Sequence, residues 1–335
     1  MNSLSDFKVE TCAAPGIDGL LDFFKKIHDE NIYFPPQDKI GILSKYRKYE
    51  DNSGKFNLFL LKYKGKDVVG CSGYVPFMGM LGSEKLTGFI GSDTIVESDF
   101  KKRFPNLAMM LAHSYENLIR KDRAFALVCP VNKAVSDSFK KVQWAEFAYI
   151  YKFTSELAAK IKPDINSQGI EFKKIERFEN DTELFFERIK KQYHFILNND
   201  IEYLNWKYFS NPYAKYTVVV AVRNKKVLGY IVVEKRHDDI YIVDITVDLE
   251  YKSVILLLIF KSLSYLELKA LNPVICYLSH NEYIDIFKKS GFLAGWQIEC
   301  LFFKVSLLLS KIKHDDFYSL DKRLFHFNGF TQYLY

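Results

Sequence analysis

Apolar runs, glycine and asparagine follow one another in the same order twice along this chain of 335 residues, once in each half. The first copy reads KDVVGCSGYV, GFIGSDTIVESDFKKRFPNLAMMLAHSY and AFALVCPVNKAVSDSFKKVQW, and the second reads KKVLGYIVVE, IYIVDITVDLEYKSVILLLIFKSL and PVICYLSHNEYIDIFKKSGF. Each copy predicts a hairpin, a third strand, a helix, a fourth strand that leads into Asn132 or Asn281, and a short helix carrying FKK. A repeat of this length indicates a duplicated domain, because the units of a solenoid are much shorter.

The length of the chain agrees with a duplication, since two domains of about 150 residues are expected from it. Proline, asparagine, serine and glycine are concentrated in KPDINSQG, residues 162–169, so we place the linker there. The predicted domains are residues 1–160 and 170–305, followed by a C-terminal appendage at 306–335. The second domain is expected to begin with a helix over DTELFFERIKKQYHFIL, residues 181–197.

Composition is that of a soluble globular protein, with 48% hydrophobic and 26% charged residues. The net charge of +6 comes from scattered lysines, which favours an anionic small ligand and no nucleic-acid partner. Five widely spaced cysteines lie mostly in apolar runs and indicate reduced core residues of a cytoplasmic protein. The N-terminal MNSLSDFKVE lacks the pattern of a signal peptide, and the apolar stretch from Val254 to Leu271 is too polar for a transmembrane segment.

The order of the predicted elements resembles the GCN5-related N-acyltransferase (GNAT) fold, over roughly residues 5 to 305 as two copies. The resemblance implies an α/β (α+β) fold of two tandem GNAT-like domains, each a mixed, mostly antiparallel sheet flanked by helices. It also implies a central strand that splays from its neighbour and admits the pantetheine arm of acyl-CoA. The turn after that strand is expected to hold the pyrophosphate with backbone N–H groups at a helix N-terminus, and no metal is implied.

The turn ESDFKKRFPNLA carries the expected phosphate site. Phe104 and Pro105 stand where the family usually has glycine, so this turn departs from the family pattern, and a solvated basic turn that caps a helix is the alternative. Asn132 and Asn281 each precede a predicted helix, and helix capping is the alternative role of each. The residues that the resemblance assigns to acyl-CoA, with acetyl-CoA as the expected form, are Ile95, Val96, Lys101, Lys102, Arg103, Asn106 and Asn132.

Acyl transfer to an amine needs a group that removes the amine proton and a donor that polarises the thioester carbonyl. Asp93 lies on the expected splayed strand, and Asp244 lies at the matching place of the second copy. We predict Asp93 and Glu97 as the catalytic residues, with His113 as a weaker candidate. A structural, hydrogen-bonded carboxylate is the alternative for any one of them.

The densest aromatic cluster of the chain is YLNWKYFSNPYAKY, residues 203–216. It resembles a segment of tandem GNAT proteins, including ones associated with cell-surface polysaccharide synthesis. Aromatic rings at this place would stack on a sugar, and amides would hydrogen-bond to it. A packed helix followed by an Asn-Pro turn is the alternative. The predicted substrate-binding residues are Asn205, Trp206, Tyr208, Asn211 and Asp244.

Several other chemistries lack their motifs. The chain has no GxxxxGK[ST], GxGxxG or GxSxG, and its seven histidines show no HxxxH or Cys/His ligand spacing. The second copy places Asp248 and Glu250 where phosphate donors would be needed, and carboxylates repel a pyrophosphate. The first domain is therefore expected to bind acyl-CoA, while the degenerate second domain shapes the acceptor site.

The sequence predicts an N-acyltransferase that moves an acyl group, in the simplest case acetyl, from acyl-CoA to the amine of a small molecule. An amino sugar or a nucleotide-linked amino sugar of surface polysaccharide synthesis is the expected acceptor class. Two alternatives stay open: a non-catalytic sensor or scaffold of the same fold, and a transferase of this fold that uses aminoacyl-tRNA. The oligomeric state is left open.

Overall fold

The computed structural model describes residues 3–13, 16–30, 39, 42, 55–81, 84–111, 113, 125–128, 145–155, 169–193, 195–197, 201–210, 214–266, 272–305 and 325–326. The strands are β1 (Phe7–Ala13), β2 (Lys55–Tyr63), β3 (Asp67–Leu81), β4 (Glu84–Val96), β5 (Phe125–Val128), β6 (Ala145–Ser155), β7 (Glu171–Ile175), β8 (Phe195–Leu197), β9 (Tyr216–Arg223), β10 (Lys226–Arg236), β11 (Asp239–Val247), β12 (Val274–Leu278), β13 (Leu293–Val305) and β14 (Phe325–His326). The helices are α1 (Ile17–Glu30), α2 (Ser98–Arg103), α3 (Asn180–Ile189), α4 (Ile201–Phe209), α5 (Val254–Ser264) and α6 (Asn281–Lys289). Short 3-10 turns cover Leu4–Asp6, Lys190–Gln192 and Leu249–Tyr251, and residues 107–111 are also helical.

The strands form one mixed sheet in the order β1-β2-β3-β4-β5-β13-β6-β12-β11-β10-β9-β7, and β8 pairs with both β3 and β14. Along the main path every pair is antiparallel except β4 with β5 and β11 with β12. Each half therefore has an antiparallel meander that ends in one parallel pair, with helices packed against it. The predicted fold class is confirmed.

The two halves exchange their last strands. β13, from the second half, lies between β5 and β6 of the first half, and pairs antiparallel with both. β6, from the first half, pairs in turn with β12 of the second half. The predicted domains at residues 1–160 and 170–305 are thus joined by backbone hydrogen bonds within a single sheet.

Local turn chemistry explains the hairpins of both halves. The turn of the predicted hairpin between β2 and β3 has Lys64 at φ 51° and Gly65 at φ 72°. Its counterpart between β9 and β10 has Asn224 at φ 51° and Lys225 at φ 63°. Two consecutive residues in the left-handed region form the hairpin turn whose twist matches that of paired strands.

A repeated glycine confirms the duplication in three dimensions. Gly70 of β3 lies opposite Val96, and Gly229 of β10 lies opposite Val247. A Cβ atom on Gly70 would lie 2.9 Å from the carbonyl oxygen of Ile95, and one on Gly229 would lie 2.6 Å from Cγ1 of Val247. Glycine therefore allows the same close approach between two strands in both halves.

The predicted helix over residues 181–197 is wrong in its second part. The helix ends at Ile189, a short 3-10 turn follows, and Tyr193 is already extended. Residues 195–197 form β8, which pairs with residues 79–81 of β3 in the first half. The aromatic ring of Phe195 packs over Gly79, where an added Cβ would lie 2.9 Å from the ring. This tertiary contact overrides the local helical pattern.

The core predictions are confirmed where the structure describes them. Cys12, Cys71 and Cys276 are buried, reduced thiols. Most of α5 is buried, in agreement with the apolar stretch that begins at Val254. Across the described residues, no helix combines the length and the hydropathy needed to cross a membrane.

Candidate active site

We call the region between β4 and β5 beyond residue 90, where their parallel ladder ends, the first wedge. Residues 88–90 of β4 pair in parallel with residues 125–127 of β5, and the ladder then stops although both strands continue. β4 runs on to Val96, and the N–H of the next residue, Glu97, donates to the carbonyl of Val69 at 2.9 Å on the β3 side. Successive residues of a strand point their backbone groups to opposite sides. The N–H and C=O of Val96 therefore point into the first wedge.

Two other predicted residues lie on this part of β4. Ile95 is half-buried and packs in the apolar cluster that includes Cys71. Asp93 lies at a bulge, because the register between β3 and β4 shifts between the Gly73–Ser92 and Cys71–Ile95 pairs. The side chain of Asp93 lies outside the described part of the structure, so its catalytic role stays a prediction.

The basic corner, defined as Lys101, Lys102 and Arg103, lies in the last turn of α2. All three side chains are exposed. The opposite side of the helix is apolar: the rings of Phe100 and Phe104 lie 5.7 and 5.1 Å from the ring of Phe7 on β1. Packing thus explains a phenylalanine at the position where the family pattern has glycine, and it directs the basic side chains to solvent.

The sequence predicts a plain turn between β4 and the next helix, whereas the structure inserts α2 there. Phe104 ends α2, and the carbonyl of Asn106 accepts a hydrogen bond from the N–H of Met110 at 3.1 Å. Asn106 therefore precedes the helix of residues 107–111 as its cap residue. The basic corner lies directly before this second helix start.

Glu97 joins the end of β4 to α1. It is the N-cap residue of α2, but its carboxylate makes no capping hydrogen bond. The carboxylate instead forms an ion pair of 2.7 Å with Lys26 on α1, where the side chain of Glu97 is 9% exposed and that of Lys26 is 53% exposed. Glu97, predicted as a catalytic residue, is thus held by a lysine in this structure.

The second wedge is the matching space between β11 and β12 beyond residue 242. Residues 240–242 of β11 pair in parallel with residues 274–276 of β12, and both strands continue past the ladder. The N–H of Val247 donates to the hydroxyl of Tyr283 at 2.9 Å, and the hydroxyl of Tyr193 donates to the carbonyl of Val247 at 2.7 Å. Both tyrosines are buried, and their hydroxyls lie 3.0 Å apart. The backbone groups that match those of Val96 are therefore bound by side chains of the protein itself.

The turn that follows β11 is closed in the same way. The carboxylate of Asp248 accepts from the N–H of Glu250 at 3.2 Å, and the side-chain oxygen of Gln192 accepts from the N–H of Leu249 at 2.8 Å. Asp248 also pairs with Arg188 at 2.9 Å. Burial acts to raise the pKa of the Asp248 carboxyl, but hydrogen bonds from Gln192, Arg188 and the Glu250 N–H outweigh it and lower this pKa below its usual value.

In both halves, the acid that follows the splayed strand forms an ion pair. Lys26 and Arg188 each hold the acid that follows the splayed strand, and each lies in a related sequence, FFKKI at residues 23–27 and FFERI at residues 185–189. The four phenylalanines of these segments are buried. This short repeat was the sequence signal that could have predicted both ion pairs, and our sequence analysis missed it.

Three of the predicted acceptor residues make hydrogen bonds inside the second half. Asn205 uses its amide on the backbone of Phe178, with hydrogen bonds of 2.8 and 3.1 Å. Asp244 is 1% exposed and accepts hydrogen bonds from the hydroxyls of Tyr208 at 2.6 Å and Tyr230 at 3.1 Å. Buried polar groups need such partners, so these three side chains serve the core of the second half.

A buried lysine lies beside this network. Lys207 is 4% exposed, and its Nζ atom lies 4.9 Å from the ring centre of Tyr208. Burial lowers the pKa of Lys207 to about 8, against the opposing charge of Asp244. Burial also raises the pKa of Asp244, although Lys207 and the tyrosine hydroxyls oppose this rise.

The remaining predicted site residues divide as follows. Trp206 lies on α4, half-buried, with its ring 5.7 Å from that of Tyr203. Asn132 and Asn211 lie outside the described residues. Asn281 is the first residue of α6, but the cap is His280, whose Nδ1 accepts from the N–H of Glu282 at 3.3 Å. The predicted capping role of Asn281 is therefore wrong.

Solved structures with the same fold are GNAT proteins. The chain is similar to a GCN5-related N-acetyltransferase from Kribbella flavida, with a TM-score of 0.63, 12% identity, and coverage of 90% of this chain and 71% of that one. A probable N-acyltransferase from Enterococcus faecalis V583 gives a TM-score of 0.65 at 8% identity, with coverage of 90% and 73%. A tandem GNAT protein from the clavulanic acid biosynthesis pathway gives 0.57 at 11% identity, with coverage of 89% and 98%. No protein-family model and no curated protein matches the sequence.

Proposed function

We propose that this protein is an N-acyltransferase that binds one acyl-CoA per chain in the first wedge and transfers its acyl group to an amine. One observation carries the proposal. The parallel ladder between β4 and β5 stops while β4 continues, and this presents the N–H and C=O of Val96 to the opening. A pantetheine arm offers amide donors and acceptors that suit these two groups.

The second half supports this assignment by its contrast. At Val247, which matches Val96, the same two backbone groups bind the hydroxyls of Tyr283 and Tyr193. The backbone at this register is therefore able to bind a donor and an acceptor from the wedge. In the sequence of the first half, the position of Tyr283 falls at Ala134 or Val135, neither of which has a hydroxyl. Acyl-CoA would take the place that the tyrosines take in the second half.

The diphosphate of the donor would lie at the basic corner. Lys101, Lys102 and Arg103 are exposed on α2, and Asn106 precedes the next helix. Cationic side chains and the N–H groups at a helix start both favour a phosphate. Ile95 and Asn132 complete the proposed donor contacts.

The chemistry requires an amine, a thioester and a base. The amine nitrogen attacks the thioester carbonyl, the C–S bond breaks, and the proton lost by the amine passes to Asp93. The CoA thiolate then takes up this proton from Asp93, so the products are an N-acylated amine and free CoA, and the Asp93 carboxylate is restored. Asp93 lies on β4 between the ladder and Val96, which is the stretch of strand nearest to a thioester bound in the first wedge.

The acceptor that we propose is a small amine, with an amino sugar as the first class to test. Trp206, half-buried on α4, would supply the stacking surface for a sugar ring. This proposal rests on the aromatic segment of the sequence, and Asn211 is its proposed hydrogen-bonding partner.

Calorimetry with acetyl-CoA tests the donor site, and we expect saturable binding of one ligand per chain. Release of free CoA in the presence of a panel of amino sugars, nucleotide-linked amino sugars and simple amines then tests transfer. Two ligands per chain would contradict a filled second wedge. Absence of binding would contradict acyl transfer and favour a scaffold of the same fold, while binding without turnover across the panel would contradict the acceptor class.

A further inference from the structure

We infer that Lys26 is a positioning residue: by drawing the carboxylate of Glu97 onto α1, it keeps that carboxylate away from the phosphate-binding corner of the first half. This inference rests on the proposed function, because it concerns binding of the acyl-CoA diphosphate. It follows from a comparison of two acids that occupy the same place in the fold.

Glu97 and Asp248 are equivalent. Each directly follows the valine that lies opposite a close-packed glycine, and each donates its N–H back to the neighbouring strand, to Val69 at 2.9 Å or Leu228 at 2.8 Å. Each also forms the N-cap of the short helical turn that follows. The two acids therefore start from the same backbone position.

Their carboxylates are placed differently. Asp248 turns toward its own helical turn and accepts from the Glu250 N–H at 3.2 Å. Glu97 makes no such cap and pairs with Lys26 at 2.7 Å. Its longer side chain reaches α1, whereas Asp248 reaches back to the turn while its other oxygen binds Arg188.

The position of the Glu97 carboxylate matters for an anionic ligand. A carboxylate that caps the turn after the splayed strand occupies backbone N–H groups of that turn. It also places a negative charge directly before the basic corner. Lys26 removes the carboxylate from that place and neutralises its charge. Without Lys26, the Glu97 carboxylate loses its ion pair with α1 and keeps its negative charge at the N-cap position of α2, the helix that carries the basic corner. The phosphate would then meet a like charge.

The decisive experiment measures acetyl-CoA affinity and steady-state kinetics for four variants of the full chain. Lys26→Gln is expected to weaken acetyl-CoA binding and to raise the KM for acetyl-CoA by about tenfold, with kcat at saturation retained. A change of about tenfold is the size expected for one charge contact near a protein surface. Lys26→Arg is expected to behave as the wild type. Glu97→Gln alone is expected to leave the acetyl-CoA affinity close to that of the wild type, and it is compared by affinity alone because Glu97 is also a predicted catalytic residue. Lys26→Gln with Glu97→Gln is expected to restore the affinity.

Lys25→Gln is the matched control, because Lys25 is an exposed lysine on the same helix, next to Lys26. If Lys25→Gln weakens binding as much as Lys26→Gln does, the effect is general electrostatics and the inference is overturned. If Glu97→Gln also weakens binding and the double variant is no better than Lys26→Gln, the pair is only structural and the inference is likewise overturned. Unchanged affinity in Lys26→Gln, in a protein that binds acetyl-CoA, overturns this inference alone. A wild-type protein that binds no acetyl-CoA overturns the proposed function and this inference together.

Discussion

The two wedges of the molecule share one backbone plan and differ in what lies against the splayed strand. In the second wedge, Tyr193 and Tyr283 bind the backbone of Val247, while Asp248 and Gln192 bind the N–H groups of the next turn. In the first wedge, the matching carboxylate is drawn away by Lys26, and three basic residues follow it. The difference shows that side chains of the protein can bind the backbone groups at the end of the splayed strand in one half without any change in strand order.

The largest effect is expected from reversing charge in the basic corner. Lys101→Glu together with Arg103→Glu should weaken acetyl-CoA binding by about 100-fold or more, since each lost contact with a phosphate is worth about 1.5 to 3 kcal/mol. Titration calorimetry measures the change. Lys252→Glu is the matched variant in the second half, where Lys252 pairs with Glu282 at 2.7 Å, and it should leave binding unchanged. Equal losses in both variants would remove the distinction between the two wedges.

A smaller effect is expected from the repeated glycine. Gly229→Ala places a Cβ atom 2.6 Å from Val247 Cγ1 and 2.8 Å from the Thr246 carbonyl oxygen, so the strands must shift. We expect it to lower the free energy of unfolding by about 1 to 3 kcal/mol, as measured by denaturant titration.

Gly70→Ala is the matching change in the first half, where the shortest distance is 2.9 Å to the carbonyl oxygen of Ile95. It should destabilise the protein less than Gly229→Ala does, and it should also weaken acetyl-CoA binding, because the adjacent Val96 forms the proposed pantetheine contact. A Gly70→Ala protein with wild-type affinity would place the donor elsewhere.

The smallest effect is expected on the stability of the folded protein at acid pH. The pKa of the Asp248 carboxyl is lowered in the folded state, where the hydrogen bonds from Gln192, Arg188 and the Glu250 N–H outweigh burial. A depressed folded pKa stabilises the protein above the unfolded value of about 3.9, and this contribution is lost as the pH falls through the folded pKa. Asp248→Asn should therefore flatten the loss of stability below about pH 4. Glu97→Gln is the comparison in the first half. Identical acid profiles for Asp248→Asn and the wild type would contradict the role of Asp248.

The repeat and the hairpins could be predicted from the sequence because their signals are local. Alternating apolar residues around Lys64 and Gly65 define a hairpin whatever the rest of the chain does. The exchange of β6 and β13 could not be predicted, since pairing between distant strands leaves no local pattern. β8 was missed for the same reason, because only its contact with Gly79 makes it a strand.

The candidate site was predictable in outline only. The basic run of residues 101–103 was visible in the sequence, whereas the helix that carries it was missed, although Phe100 and Phe104 have helical spacing. The contacts that Asn205 and Asp244 make inside the protein could not be predicted from the sequence. A polar residue in an apolar segment gives the same sequence pattern whether it binds a ligand or a group in the core. The paired tyrosines of the second wedge lie 90 residues apart in the chain and became visible only in the structure.

The exchange of the final strands has a consequence for how the protein is made. β5 leaves the ribosome well before β13, its neighbour in the sheet, because most of the second half is synthesised between them. Until then the nascent polypeptide carries an uncovered strand edge, which is a template for association with other chains. Assembly of the first half must therefore wait until the second half has been translated through β13, and a messenger RNA truncated before β13 would yield a first half whose sheet lacks the strand between β5 and β6.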